Sequence, residues 1–131
     1  TADPVKEIIE EARSKVAGND VLGGLKHMDQ ALKNDAQLRN RFRLQVGMLR
    51  LLTQSSNFEL AKIYSENIVN MIDKYALQEW DPELALEGLK NSYMALKGSE
   101  DAEVKKQAQE IFSRIVSVSP ASALRFSGPA V

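Results

Sequence analysis

Residues 36–54, AQLRNRFRLQVGMLRLLTQ, decide how this chain folds. Projected at about 100° per residue, Leu38, Phe42, Leu44, Met48, Leu49, Leu51 and Leu52 cover roughly half the circumference of a helix. A face that wide touches more than one neighbour. The stretch therefore predicts a central helix with other helices packed around it.

Toward the N-terminus, Asp3-Pro4 is a strong helix start. The carboxylate accepts bonds from free N–H groups, and proline at the first helical position sacrifices none. Val5, Ile8, Ile9, Ala12 and Val16 then form one apolar stripe, and Gly18-Asn19 ends it. Val21, Leu25, Met28 and Leu32 form a second, broken at Asn34-Asp35. Gly23-Gly24 weakens that helix by about 1 kcal/mol per glycine, or allows a neighbouring backbone to come close.

Toward the C-terminus, Ser55-Ser56-Asn57 reads as a capped turn. A fourth stripe follows in Phe58, Ala61, Tyr64, Ile68, Ile72 and Tyr75. Residues 76–80 read as a link. Asp81-Pro82 repeats the cap of Asp3-Pro4 and opens a fifth helix through Ala85, Leu89, Tyr93 and Leu96, closed by Gly98. Ser99-Glu100-Asp101 opens a sixth with Val104, Ala108, Ile111, Phe112 and Ile115, and Pro120 starts a last turn through Phe126. No stretch shows the period-two alternation of a strand. No repeat of about 34 residues, the period of tetratricopeptide hairpins, is apparent.

Composition narrows the function. Seventeen basic and 18 acidic side chains leave a net charge of −1. That argues against nucleic acid or an anionic membrane as partner, since both draw on a basic excess. With no cysteine, thiolate metal sites, disulfides and cysteine nucleophiles are excluded. A single histidine, His27, leaves almost no zinc chemistry. No apolar run approaches the ~20 residues of a bilayer span. The chain starts without Met and without the pattern of a signal peptide, so a fragment of a longer cytoplasmic protein is expected.

Two acidic pairs are the nearest thing to a catalytic motif. Glu10-Glu11 and Glu100-Asp101 could do acid–base work only as facing groups in a cleft. Glu100-Asp101 has a simpler reading as charge at the positive end of the following helix. His27 has Asp29 close in sequence, but two positions on a helix do not face each other. No phosphate-binding glycine loop and no nucleophile elbow is present. Neither catalytic residues nor a cofactor or metal site is expected.

The informative residues suit protein contact. Arg39, Arg43 and Arg50 fall within about 40° on the helical wheel and form a stripe, read as a solvated face or as a strip for an acidic surface on another subunit. Arg41 projects from the apolar arc itself, so it must find a carboxylate or point into an interface. Trp80, the only tryptophan, stands just before the Asp81 cap with Glu83 beyond it. It is read either as a hydrophobic staple on its own helix or as a subunit contact.

The same residues carry a family resemblance. Arg41-Phe42-Arg43-Leu44, Leu49-Arg50-Leu51-Leu52, Phe58-Glu59-Leu60-Ala61 and Trp80-Asp81-Pro82-Glu83-Leu84 occur in an order that resembles the C-terminal, VasJ-type domain of TssA proteins of the bacterial type VI secretion system. The likeness covers residues 38–96 well and the flanks more loosely, and Asp81 stands where that pattern commonly has Glu. The resemblance implies a ring-shaped homo-oligomer of five- or sixfold symmetry, sometimes double-layered. It also implies a role in baseplate recruitment and in tube and sheath polymerisation, with the tube protein Hcp, the sheath proteins TssB and TssC, and baseplate components as partners.

Taken together, the chain is expected to be all-α, an antiparallel bundle of about six helices. Residues 1–126 are expected to form one oligomerisation domain, with a flexible tail at 127–131. Arg39, Arg41, Arg43, Arg50, Trp80 and Glu83 are its candidate interface. The competing expectation is a tetratricopeptide-like adaptor that grips a partner peptide between helices.

Overall fold

The computed structural model describes residues 2–127. Among them are eight helices and no strand: α1 Pro4–Ala17, α2 Val21–Asn34, α3 Leu38–Gln54, α4 Phe58–Lys74, α5 Leu77–Trp80, α6 Pro82–Leu96, α7 Ala102–Val118 and α8 Pro120–Ser127. The all-helical class is as expected, and the count exceeds the six anticipated. The residues read as a link contain the one-turn α5, and the final turn is the two-turn α8, which takes in Ser127. Residues 128–131, the rest of the expected tail, lie outside the described residues. The chain divides into two compact units, and the boundary falls between Tyr64 and Ser65, within α4.

In the first unit, α1, α2 and α3 pack against one another in all three pairings. Asp3 caps α1 by accepting from Val5 N at 3.1 Å and Lys6 N at 3.3 Å. Asn19, in the left-handed region at φ 70°, reverses the chain. Asp20 then caps α2 by accepting from Gly23 N at 2.9 Å. Gly24 permits the closest approach: a Cβ there would lie 2.7 Å from Val16 Cγ2 and 2.9 Å from the Ala12 carbonyl oxygen. The backbone of α2 thus rests on α1, which is what the Gly23-Gly24 pair raised as a possibility. Gly47 plays a similar part on α3, where an added Cβ would press on Ile9 and Met28 at 3.0 Å.

The wide face of α3 is buried as its sequence requires. Phe42, Leu44, Leu49 and Leu51 are fully enclosed, and Val46, Met48 and Leu52 nearly so. Leu38 lies within the arc but is the first residue of the helix, and it remains partly exposed. The corner between α2 and α3 contains neither glycine nor a left-handed residue. Asp35 shapes it instead, accepting from Gln37 N at 2.9 Å and from Asn40 Nδ2 at 3.0 Å.

In the second unit, α6 and α7 form the main pair, α5 packs on α6, and α8 on α7. Ala76, left-handed at φ 50°, turns the chain out of α4 into α5. Asp81 ends α5 and also caps α6, accepting from Leu84 N at 3.2 Å. Leu89, Ser92 and Ala85 of α6 are fully enclosed, as is Ile115 of α7. Tyr93 spans the unit's aromatic cluster, 5.4 Å from Phe112 and 5.9 Å, edge-on, from Phe126.

Candidate functional interface

The four arginines of α3 meet different fates. Arg39 and Arg50 are exposed. Arg41 is half-buried, and within the chain it meets main-chain carbonyls where a carboxylate was expected. Its Nη1 donates to the carbonyl oxygens of Leu32 and, at 3.0 Å, Asp35. The last carbonyls of a helix have no intrahelical partner and carry its negative end, so they stand in for a carboxylate. Both are main-chain groups at a boundary that the sequence shows only as Asn34-Asp35, which is why the partner was not foreseen.

Arg43 leaves the stripe for an internal partner. Its guanidinium grips the Asp3 carboxylate with two bonds, Nη2–Oδ2 at 2.5 Å and Nη1–Oδ1 at 3.2 Å. Asp3 therefore caps α1 and ties that cap to α3 at once. The Arg43 hydrogen bond, ahead of the other influences, holds the Asp3 carboxyl below its ordinary 3.8. A carboxyl lowered in the folded state contributes stability above the unfolded value, near 3.8, and loses it as pH falls through the lower folded value. Asparagine is an equally good cap but carries no charge. Asp3→Asn should therefore be less stable than wild type at pH 7, and the gap should close below pH 3.8. Urea titrations at both pH values measure it, and a gap that persists in acid would mean that the charge is not its source.

Trp80 does not staple its helix. It is 81% exposed at the end of α5. The reason lies in the residue it would have to grip. With Asp81 as cap, the fourth helical position of α6 is Ala85, whose methyl group is already enclosed and offers an indole almost nothing. Glu83 is exposed in the first turn of α6, beyond the cap in sequence.

The catalytic pairs form no centre. Asp101 caps α7, accepting from Glu103 N at 2.8 Å and Val104 N at 3.2 Å, as its simpler reading requires. Glu10 and Glu11 are exposed on α1. No group of three or more His, Cys, Asp or Glu side chains gathers among the described residues in a way that could hold a metal ion. His27 has a neighbour that local spacing did not show: Nε2 lies 3.1 Å from Glu11 Oε2, across the α1–α2 contact.

Two features escaped the sequence. One is Arg114 of α7, which donates through Nε and Nη2 to Gln78 Oε1 at 3.1 and 2.6 Å, and through Nη2 to Asp73 Oδ1 at 2.7 Å. It pins α5 and the end of α4 to α7, with partners 36 and 41 positions away. The other is on α4, where Phe58, Leu60 and Ile63 are each about half exposed. Leu60 and Ile63 lie off the stripe read for that helix, so only the exposure reveals them. No helix among the described residues is long and apolar enough to cross a membrane.

A family model described as type VI secretion, EvfE, EvfF, ImpA, BimE, VC_A0119, VasJ matches residues 1–92. Neither a curated protein nor a solved structure matches the chain.

Proposed function

The chain belongs to the VasJ family of type VI secretion proteins, and from that premise we propose that it is an assembly domain of a TssA-like protein. The family is a structural component of the secretion system and is not a known enzyme family. In this reading, residues 1–126 join copies of the chain into a closed ring in the bacterial cytoplasm. The ring helps to dock the baseplate and to coordinate growth of the tube and sheath, in contact with Hcp, TssB and TssC. A rotational ring offers a growing tube one symmetric platform.

The family match carries this reading. The surface supports it: a tryptophan 81% exposed is the kind of anchor that protein interfaces bury. Arg50 presents an exposed guanidinium group suited to a carboxylate-bearing neighbour, and Glu83 is an exposed carboxylate on the chain itself.

Light scattering and negative-stain electron microscopy of the purified chain test the proposal, with rings as the expected image. A stable monomer at micromolar concentration would overturn it. Arg50→Glu is expected to weaken assembly while leaving the helical circular dichroism unchanged. Arg43 is left intact in this variant, because its charge is spent on Asp3 and its reversal would repel the cap of α1.

A further inference from the structure

Within the second unit, a cleft of about 270 Å³ opens between the latter half of α4 and α7. Val69, Leu96 and Ile111 give it an apolar lining, and Gln107 and Arg114 give it polar groups. It is smaller than the ~300–1,000 Å³ typical of cofactor and ligand sites. That leaves room for one large side chain. We propose that Trp80 of a second copy of this chain fills the cleft, and that the exchange is reciprocal about a two-fold axis. The proposal rests on the reading of the chain as a self-assembling domain and adds a contact that joins copies in pairs, as between the two layers of a double ring, without itself closing a ring.

Three observations converge on an indole. Gln107 lines the cleft, and its Oε1 is shielded from solvent without a hydrogen-bond partner. A turn of that half-buried amide offers the oxygen to a donor, and the indole N–H is a donor only. Arg114 supplies a guanidinium plane on which an aromatic ring stacks. Its bonds to Gln78 and Asp73 already hold that plane, so little further ordering is needed. Trp80, for its part, is 81% exposed on a helical turn whose backbone is closed by Trp80 N–Ala76 O at 3.3 Å and Asp81 N–Leu77 O at 2.8 Å. That turn holds the backbone that carries the ring.

A two-fold arrangement suits a chain that carries both knob and hole. Arg114, in the wall of the cleft, bonds to Gln78, two residues before Trp80. Knob and hole therefore lie on neighbouring elements of one unit, with Gln78 and Trp80, two positions apart on a helical turn, pointing to different sides. A two-fold operation that seats one Trp80 in the facing cleft seats the other as well. Glu79 and Glu83 flank Trp80, while Glu66 and Glu110 line the cleft, so like charges approach one another in the pair. Salt screens that repulsion and should tighten the contact. A contact made by Arg50 on carboxylates would respond in the opposite sense.

Trp80 is the chain's single tryptophan, so its emission reports the contact directly. As the concentration of the wild-type chain rises, the emission should shift to the blue and acrylamide should quench it less. The midpoint should move to lower concentration in added salt. Gln107→Leu, which removes the acceptor at nearly constant volume, should raise the midpoint about thirty-fold, the effect of the two hydrogen bonds that a reciprocal pair makes, with circular dichroism unchanged. Trp80→Ala should abolish the salt-strengthened step in light scattering at unchanged thermal stability. Assembly with Trp80 still open to acrylamide would overturn this contact and leave the assembly reading standing. A chain monomeric at every concentration would overturn both. A blue shift that salt weakens, or that ignores Gln107→Leu, would place Trp80 elsewhere and overturn the proposal.

Discussion

Gly24→Val is expected to cost the fold about 3 kcal/mol, the upper part of the range for overpacking a closed contact. The glycine lies where α2 rests on α1. A Cβ at that position meets Val16 Cγ2 at 2.7 Å and the Ala12 carbonyl oxygen at 2.9 Å. The second neighbour decides the size of the effect, because it is backbone and has no rotamer to yield. The helices must separate, and Ala12 and Val5, buried beside them, then lose part of their cover. Gly98→Ala is the control: an added Cβ there meets nothing within 4 Å. It should be neutral or slightly stabilising through the unfolded state. Urea unfolding followed by circular dichroism gives both values. Equal stability of Gly24→Val and wild type would mean that α1 and α2 do not pack at this distance in solution.

Phe42→Ala should be costlier still, about 4 kcal/mol. Phe42 is fully enclosed at one edge of the α3 arc, on the same side of the helix as Leu49. Removing its ring leaves a cavity too large for the surrounding helices to close, so the transfer and cavity terms add. Against a typical total of about 5–15 kcal/mol, this loss brings the first unit near its unfolding threshold. Leu38→Ala provides the contrast on the same helix. Leu38 is 38% exposed, so its truncation should cost less than about 1 kcal/mol. If the two variants unfold at the same urea concentration, the buried face of α3 does not organise the unit.

The features that could be read from the sequence are those whose cause is local. Asp3-Pro4, Asp81-Pro82 and Asp101 announce helix starts because a cap is made within three residues. The seven apolar positions of α3 announce a central helix because their spacing alone defines a face. Trp80 shows the limit of local reading. The staple motif is present, but its outcome depends on Ala85, too small to hold an indole, and on the extra helical turn of α5. The arginines show the other limit. Arg39, Arg43 and Arg50 share a stripe by spacing, yet Arg43 turns to Asp3, 40 positions away. Arg41 finds carbonyls and Arg114 finds Gln78, and no periodicity records a partner that only tertiary packing brings near.

The corner between α2 and α3 carries a consequence for timescale. Asp35 is engaged through its side chain by Gln37 N and Asn40, and through its carbonyl by Arg41, which also holds the carbonyl of Leu32. Such a joint has no slack of its own and opens only when the helices it connects come apart. In hydrogen–deuterium exchange, the amide of Gln37 should therefore resist labelling as long as the ends of α2 and α3 do, despite lying outside both helices. Arg41→Met should let it exchange as quickly as an ordinary loop, and rapid labelling of Gln37 in the wild-type chain would show the joint to be loose.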